Sequence, residues 1–190
     1  MAKRKLGAIP YLYPVPIVLV GAVVDGRPNF AEIGDCAIMG IRPPLVAVSL
    51  SAEHHTTRGI LAHRTFSVNV PNTDLLGKTD RCGIVSGKDV DKSVLFEVEY
   101  GETTTAPLIV ACPVVLECRV VEEVEIEHRR IFIGGVLQCH VDETYVVEKD
   151  GRRSVAALTE LDPILYALDN AYYSVGRCIG IGTREGLGAT

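Results

Sequence analysis

The chain has 190 residues, of which 47% are hydrophobic and 23% are charged, and its formal net charge is −5. This composition is typical of a folded globular protein and excludes a disordered or fibrous chain. The length fits a single domain, residues 1–190, whose one core is large enough to form without disulfides. The charge does not favour nucleic acid, because the one basic cluster, residues 3–5, is more simply a solvated tail.

Two further classes are disfavoured by the pattern of apolar residues. No apolar run approaches the roughly 18 residues that a membrane-spanning helix needs. Prolines interrupt the apolar segment behind the basic N-terminus, so the sequence predicts no secretory signal. We therefore expect a cytoplasmic protein whose thiols are reduced. The cysteines, none of which forms a Cys-x-x-Cys pair, are Cys36, Cys82, Cys112, Cys118, Cys139 and Cys178.

Strand signals dominate the chain from its N-terminus onward. Residues 15–24 are apolar and rich in β-branched side chains, and Asp25 and Gly26 close them, which predicts a strand followed by a hairpin turn. Residues 114–126 alternate apolar with charged side chains, as a long half-buried strand does. The remaining predicted strands cover residues 29–39, 45–50, 67–70, 131–141, 145–148 and 154–157.

Helical signals are few and short. Residues 56–62 predict one helix with His55 or Thr56 near its start, and Thr73 has the right chemistry to cap a second. Residues 162–168 predict a third helix. About eight strands with short helical inserts predict a mainly β protein, and antiparallel strands in such number commonly close into a barrel, because closure removes exposed edges.

Residues 49–60 form the first candidate site. A strand here ends in small hydroxylated residues and runs into a helix, whose first N–H groups are unpaired and whose dipole favours an anion. The hydroxyls of Ser51, Thr56 and Thr57 and the charge of Arg58 would add to such an anion site. Ordinary capping of the helix by threonine is the alternative.

Short motifs follow one another in a specific order along the chain. They are G-D-C-A from residue 34, P-P from residue 43, H-T-T-R from residue 55, F-S-V-N from residue 66, D-R-C-G from residue 80 and C-P-V from residue 112. In this order and spacing the chain resembles the flavin reductase-like, FMN-binding split-barrel family, and within it the flavoredoxin-type branch. The resemblance extends over about residues 14–176.

The resemblance implies a mainly β fold, an FMN-binding split barrel built as a six-stranded antiparallel Greek-key barrel with short helical inserts. It also implies a homodimer that binds one FMN per subunit near the dimer interface. A dimer is expected on physical grounds as well, because side chains fill the interior of a small barrel and leave no room for a flavin ring.

By position, the resemblance implies FMN contacts from four parts of the chain. The first runs along the isoalloxazine ring, the second approaches the ring edge and the ribityl chain, the third holds the phosphate, and the fourth borders the flavin. In that order they are Gly34, Asp35, Cys36 and Ala37; Ser49, Leu50 and Ser51; His55, Thr56 and Thr57; and Cys82, Ser86 and Lys92. The third set coincides with the anion site.

His128 is a candidate contact for a nicotinamide. Many reductases of the family carry a Gly-Asp-His turn at this place, whereas Ile126 and Glu127 precede the histidine here. A solvated residue of a hairpin is the alternative interpretation of His128.

The resemblance implies an FMN-dependent oxidoreductase that moves electrons from NAD(P)H or a redox partner protein to free flavin, ferric iron or a protein acceptor. In such enzymes the cofactor performs the electron and hydride transfer and the protein supplies placement and electrostatics, so no acid–base dyad is needed. The alternative is a flavin-binding β-barrel module, or an electron carrier without nicotinamide turnover, which the departure at Glu127 motivates.

Three other patterns have simpler interpretations. Residues 180–186 are rich in glycine like a dinucleotide-binding loop, but the spacing is off by one and no βαβ unit surrounds them, so we expect a tail. Residues 53–55 read Glu-His-His, but adjacent side chains diverge and no third ligand has suitable spacing, so no metal site is expected. Cys36 and Cys82 would form a redox pair only if the fold brought them together, and inert buried thiols are the simpler expectation.

Overall fold

The computed structural model describes residues 2–149 and 151–182. Its strands are β1 Val15–Pro16, β2 Val18–Val24, β3 Arg27–Ile33, β4 Cys36–Ile41, β5 Pro44–Ser51, β6 Thr65–Val70, β7 Val98–Glu99, β8 Leu108–Ile109, β9 Val114–Ile126, β10 Arg129–Val141, β11 Val146–Lys149, β12 Arg152–Val155, β13 Leu165–Ala167 and β14 Ala171–Tyr173. The helices are α1 His55–His63, α2 Leu76–Ile84 and α3 Leu158–Leu161, and short 3-10 turns lie at Thr73–Leu75, Ser93–Leu95 and Glu143–Tyr145. No helix in these described ranges is long and apolar enough to cross a membrane.

One sheet carries most of the fold. Its strands follow the order β3-β2-β6-β9-β10-β5-β4, and neighbouring strands are antiparallel. The first six strands of this row curl around one core, because Ala31 and Ile33 on β3 pack in the same buried cluster as Val48 and Leu50 at the far end on β5. β4 extends the row as the hairpin partner of β5. The predicted mainly β split barrel is confirmed, with one strand added to the six.

β2 is buried on both faces, which explains why its sequence is a continuous apolar run rather than an alternating one. Val18 and Val20 face the barrel core, whereas Leu19 faces a second apolar cluster that α2 and residues 96–112 help to form. α1 lies against this strand at Gly59, where an added Cβ would come within 2.4 Å of the carbonyl oxygen of Val23. A glycine is therefore needed for the close contact that sets the position of α1.

The strand predicted over residues 29–39 is two strands, β3 and β4. The chain turns between them, because the Cys36 N–H donates to the Gly34 carbonyl at 2.9 Å. The Ser49 N–H then donates to the Asp35 carbonyl at 2.8 Å and ties this turn to β5. The turn places the G-D-C-A motif at one end of the barrel.

The helix predicted over residues 162–168 is wrong. α3 ends at Leu161, and Asp162 follows it in the left-handed region with φ of 44°. Pro163 cannot continue a helix, and the apolar residues that follow form β13, which pairs with β1 and β14. The gain from strand pairing therefore outweighs the local helical pattern.

The predicted cap at Thr73 is also wrong. Its hydroxyl donates to the carboxylate of Asp162, and no side chain caps the turn that begins there. α1 begins at His55, as predicted, and no side chain caps it either. Capping by threonine therefore does not explain the hydroxyl residues at the start of α1.

β9 has the predicted bounds, but only part of it has the predicted burial. Its last residues, among them Val124 and Ile126, are exposed although the alternation places them inside. Glu117 is fully buried although the alternation places it outside. The N–H groups of Glu102 and Thr103 donate to its carboxylate at 2.8 and 2.5 Å, which compensates for the loss of water.

Candidate functional site

The turn between β5 and α1 is built around the carbonyl oxygen of Ser51. The His54 N–H donates to this oxygen at 3.1 Å and the Thr57 hydroxyl donates to it at 2.8 Å. Thr57 is fully buried, so its side chain serves this turn rather than the surface. The two bonds fix the angle at which α1 begins.

The first turn of α1 has the properties of an anion site. The N–H groups of His55 and Thr56 have no carbonyl one turn earlier within the helix, and the turn contains no acidic residue. The Thr56 hydroxyl is buried and accepts a hydrogen bond of 2.7 Å from the side-chain amide of Asn29 on β3. This bond fixes the first turn of α1 against the barrel.

Positive charge surrounds the start of α1. The pKa of His54 is lowered, first by loss of hydration and then by the positive charges of Arg129, Lys92 and Lys88. The pKa of His55 is lowered as well, first by loss of hydration and then by Arg58; Asp25 opposes the effect, and Lys88 and Lys92 add to it. Groups from three separate parts of the chain thus produce a positive potential where the helix dipole is also positive, which favours a phosphate.

A cavity of about 410 Å³ lies between this turn and the segment that follows α2. Ser51 and residues 53–56 line it from one part of the chain, residues 82–88 and Lys92 from another, and Asn29, Ala31 and Glu32 on β3 line it as well. We call it the basic cavity, because Lys88 and Lys92 are part of its wall. Its walls combine donors from the main chain with these two ammonium groups and with the carboxylates of Glu32 and Glu53.

Lys92 fixes one wall of the basic cavity. Its side chain is 4% exposed, and its ammonium group donates to the carbonyl oxygens of Phe30 at 3.0 Å and Cys82 at 2.7 Å. Burial lowers the pKa of Lys92. The contact joins β3 to the end of α2, so Lys92 both closes the cavity and contributes charge to it.

Arg129 joins three groups near the G-D-C-A motif. Its guanidinium forms an ion pair with Asp35 and donates to the Ser49 carbonyl at 2.9 Å. Its Nε also donates to the Ser49 hydroxyl at 3.1 Å. Asp35 and Ser49, which the resemblance assigns to the flavin ring, are therefore held in one network by a residue that sequence reasoning missed.

A second cavity, of about 570 Å³, meets the basic cavity at Glu32, Gly83 and Ile84, which line both. Gly34, Asp35 and Cys36 form part of its wall. Because Glu32 and Asp80 are also in the wall, we call it the acidic cavity. The two cavities together form a groove that runs from the start of α1 to the N-terminal arm, residues 10–14, which precedes β1.

The structure brings most of the predicted FMN residues to this groove. Those in the wall of the basic cavity are Ser51, His55, Thr56, Cys82, Ser86 and Lys92. Those in the wall of the acidic cavity are Gly34, Asp35 and Cys36. The groove is therefore the place where the predicted site residues converge.

Five other predicted residues lie outside the walls of these two cavities. Leu50 and Thr57 are fully buried, Leu50 in the barrel core and Thr57 beneath the turn. Ala37 and His128 are exposed, Ala37 on β4 and His128 at the tip of the β9–β10 hairpin. Ser49 also lies outside both walls and contacts Arg129, whose guanidinium pairs with Asp35 in the wall of the acidic cavity.

The thiols of Cys36 and Cys82 have little tendency to ionise. Burial, and to a lesser degree the charge of Asp35, raises the pKa of Cys36 to about 11. Burial likewise raises the pKa of Cys82 to about 11. All six cysteines are free thiols. Since the thiolate is the reactive form, these two residues have the character of packing residues.

The fold and the groove define a split-barrel protein of the flavoprotein type. The family described as "Flavin reductase like domain" matches residues 11–172. The chain therefore belongs to the flavin reductase-like family, as its motifs predict.

Several solved structures are similar to the chain over nearly its whole length. The flavoredoxin from Methanosarcina acetivorans is 38% identical, with a TM-score of 0.91 over 98% of each chain. The flavoredoxin of Desulfovibrio vulgaris (Miyazaki F) is 31% identical, with a TM-score of 0.87 over 97% of this chain and 100% of that one. An FMN-binding protein from Thermus thermophilus shares the fold at 24% identity, with a TM-score of 0.74 over 92% of this chain and 95% of its own. The predicted flavoredoxin-type branch is thus confirmed.

Proposed function

We propose that this protein binds FMN in the groove, with the phosphate at the start of α1 and the ring toward the G-D-C-A motif. The observation that carries the proposal is the first turn of α1, whose unpaired N–H groups open into a cavity beside Lys88 and Lys92. A phosphate would satisfy these N–H groups and offset the positive charge around them. The relatives named as flavoredoxins and as an FMN-binding protein support the same cofactor.

We propose further that the protein is an oxidoreductase that takes electrons from NAD(P)H or a redox partner protein. FMN supplies the electron and hydride transfer when it is bound. The chain's own residues then bind and orient the cofactor. The first turn of α1, Lys88 and Lys92 hold the phosphate, and Arg129 holds Ser49 and Asp35 beside the ring. Free flavin, ferric iron and a redox protein are the proposed acceptors.

The purified protein tests the cofactor directly. We expect a yellow protein with flavin absorbance, or a colourless one that binds added FMN with a large change in flavin fluorescence. Lys88→Gln should weaken FMN binding, whereas Lys78→Gln, which removes the same charge beside Phe96, should not. A protein that binds no FMN, or equal losses in both variants, would contradict the proposal.

An electron carrier without nicotinamide turnover is the second candidate. It is favoured by His128, which is exposed at a hairpin tip and lies outside the walls of both cavities. Anaerobic mixing of the FMN-loaded protein with NADH and with NADPH separates the two candidates. Rapid bleaching of the flavin by either donor identifies a reductase, and bleaching only by a reduced redox protein or dithionite identifies a carrier.

We also propose a homodimer with the FMN near its interface, a single domain over residues 1–190 and a cytoplasmic location. The dimer is supported by β4, which ends the row of strands and exposes Ile38, Met39 and Ile41. Apolar side chains on an unpaired edge strand favour association with another chain. Unpaired thiols fit a reducing compartment.

A further inference from the structure

Three large apolar side chains line the acidic cavity and are exposed to solvent at the same time. Leu12 in the N-terminal arm is 81% exposed, Ile84 at the end of α2 is 72% exposed and Leu168 in the β13–β14 turn is 42% exposed. We call these three residues the apolar rim. Single exposed apolar residues are common on protein surfaces, but three from separate elements at one cavity are typical of a place that contacts a ligand.

The N-terminal arm places Leu12 through an alternating pattern. Every second residue of the arm lines the acidic cavity: Pro10, Leu12 and Pro14. The intervening Tyr11 and Tyr13 are not in that wall, and their rings stack on each other with centroids 5.6 Å apart. Successive side chains of an extended segment point to opposite sides, so the arm presents one side to the cavity and the other away from it.

The arm begins beside the G-D-C-A motif. An added Cβ on Gly34 would lie 2.8 Å from a side-chain carbon of Val15, so this glycine lets the chain pass directly against the motif. The thiol of Cys36 lies 3.9 Å from the carbonyl oxygen of Pro16. Since the flavin ring is proposed beside the same motif, the arm borders the proposed position of the ring.

Hydrogen bonds hold β1 in place but not the arm that precedes it. β1 pairs with β13, and the Ile17 N–H donates to the Ile164 carbonyl at 3.0 Å. Residues 10–14 form hydrogen bonds only within the N-terminal segment, as far as the described residues go, such as the bond of 2.8 Å from the Leu12 N–H to the Pro10 carbonyl. The arm can therefore shift to fit a ligand without losing a hydrogen bond to the barrel.

The charge of the cavity wall disfavours an anion. No basic side chain is among the described residues that line it, and Asp35 is the one wall carboxylate in the described ranges that has an ion-pair partner, Arg129. The Tyr172 hydroxyl lies 2.9 Å from an oxygen of both Glu32 and Asp80, but its one proton can serve only one of them at a time. An anion in the cavity would therefore be repelled, whereas an uncharged molecule would not.

We propose that the apolar rim selects the molecule that meets the flavin ring, and that it favours an apolar organic molecule without negative charge. Leu12 is the main specificity-determining residue, because it belongs to the segment that can shift. The inference rests on the proposed function, since it takes the ring to lie beside the G-D-C-A motif. It narrows the proposed acceptors, because an uncharged small molecule fits the rim, whereas an anionic ferric chelate or a second, free FMN does not.

Two probes of similar size test this preference on the FMN-loaded protein. 2-Naphthol is uncharged at pH 7, and 2-naphthoate is an anion. We expect 2-naphthol to shift the absorption bands of the bound FMN and to bind about tenfold or more tighter than 2-naphthoate. Equal affinities, tighter binding of 2-naphthoate, or binding of 2-naphthol without a change in the flavin bands would overturn the proposal.

Variants of exposed residues then test the rim itself. Leu12→Gln and Leu168→Gln should each weaken 2-naphthol binding by about three- to tenfold, because each removes apolar contact area. Leu6→Gln is the matched control, since Leu6 is also exposed but lies outside the cavity wall. Unchanged affinity in either rim variant, or an equal loss in Leu6→Gln, would overturn the proposal.

Two further measurements on Leu12→Gln separate the rim from the flavin site and from a contact between subunits. FMN affinity should equal that of the native protein, and a loss as large as that for 2-naphthol would make Leu12 part of the flavin site and overturn the proposal. Light scattering after gel filtration should give the native mass, and a smaller mass would assign Leu12 to a contact between two copies of the chain and overturn it as well.

The FMN titration of the native protein distinguishes the two levels of the proposal. A protein that binds no FMN contradicts the proposed function, and the inference about the rim fails with it. A protein that binds FMN but whose rim variants bind 2-naphthol as the native protein does contradicts the inference alone.

Discussion

Arg129 on β10 forms an ion pair with Asp35, a residue 94 positions earlier in the chain. The same guanidinium donates to the main chain of Ser49 on β5, so one side chain joins the turn after β3 to two neighbouring strands, β10 and β5. Both partners belong to the residues that the family resemblance places on the flavin ring. The position of the proposed ring site therefore depends on a residue that need not touch the flavin.

Arg129→Gln should weaken FMN binding by about 1–3 kcal/mol, because Ser49 loses its charged donor and Asp35 its partner. Flavin fluorescence during titration with FMN measures the change. Arg130→Gln is the matched control, since it removes the same charge from the next residue of the hairpin, where it pairs with Glu123 and Glu125. Equal losses in the two variants would show that net charge, rather than the contact with Ser49, governs the affinity.

Thr57→Val should destabilise the protein by about 1–2 kcal/mol and weaken FMN binding, because the Ser51 carbonyl loses one of its two donors. Thr57→Ser keeps the hydroxyl and loses only a buried methyl group, so it should retain FMN affinity while losing about 1 kcal/mol of stability. Urea unfolding gives the stability, and FMN titration gives the affinity. Equal loss of affinity in both variants would show that the hydroxyl does not position the turn.

Glu117→Gln should lower the free energy of unfolding at pH 7 by about 1–3 kcal/mol, because the amide that replaces the buried carboxylate has an NH₂ group that cannot accept the hydrogen bonds from the main chain. Burial raises the pKa of Glu117, but hydrogen bonds from Glu102, Thr103 and His140 outweigh it, and the pKa lies below its usual value of 4.5. The unfolded chain therefore takes up the proton first as the pH falls.

The contribution of Glu117 to stability is complete above the unfolded pKa and is lost as the pH falls through the folded pKa. The difference in the free energy of unfolding between the native protein and Glu117→Gln should accordingly become smaller as the pH falls into the acid range. Urea unfolding at a series of pH values measures it, with Glu99→Gln on an exposed strand as the control. A difference that stays constant from pH 7 into the acid range would contradict this account.

The cysteines should react with iodoacetamide in an order set by exposure. Cys139 and Cys178 are exposed and should be labelled first at neutral pH, whereas Cys82, Cys112 and Cys118 are buried and should be labelled only after unfolding. Mass spectrometry of digested samples gives the rate of labelling at each cysteine.

Cys36→Ala and Cys82→Ala should each retain reduction of the bound flavin. Loss of flavin reduction in both variants, with FMN still bound, would restore the interpretation that the two cysteines form a redox pair.

Ile41→Glu should convert the proposed homodimer to monomers, because a charge on the exposed edge strand disfavours burial against another chain. Ile41 is 81% exposed, and Val94, at 78%, offers a matched control on a different surface. Light scattering after gel filtration gives the mass of each variant. A dimer that survives in Ile41→Glu but is lost in Val94→Glu would move the interface away from β4.

Local patterns predicted the strands better than the turns that join them. Residues 114–126 alternate without interruption, and β9 has those bounds. Over residues 29–39 the local signal for the break is weak, a single Gly34-Asp35 step, and the bond that ties the turn to the sheet comes from Ser49 on another strand. At residues 162–168 the helical pattern was overridden by Pro163 and by pairing with strands from both ends of the chain.

The part of the candidate site that one continuous segment forms could be predicted from the sequence. The parts that depend on contacts between distant segments could not. The start of α1 follows from residues 49–60 alone, since a strand leads directly into a helix there. Arg129 and Tyr172 gave no such signal: their partners Asp35 and Glu32 lie 94 and 140 positions away. Arg129 lies in a run of charged residues, where a solvated hairpin is the ordinary interpretation, and Tyr172 follows a turn near the end of the matched region.

The ammonium group of Lys92 donates only to main-chain acceptors, the carbonyl oxygens of Phe30 and Cys82. Every amino acid supplies such an oxygen, so this contact does not depend on the side chains at those two positions. The contact requires a long, positively charged side chain at position 92 and a fixed number of residues between that position and α2. Relatives could therefore carry different side chains in this wall of the basic cavity, and so bind a different ligand there, while the position of the wall itself is unchanged.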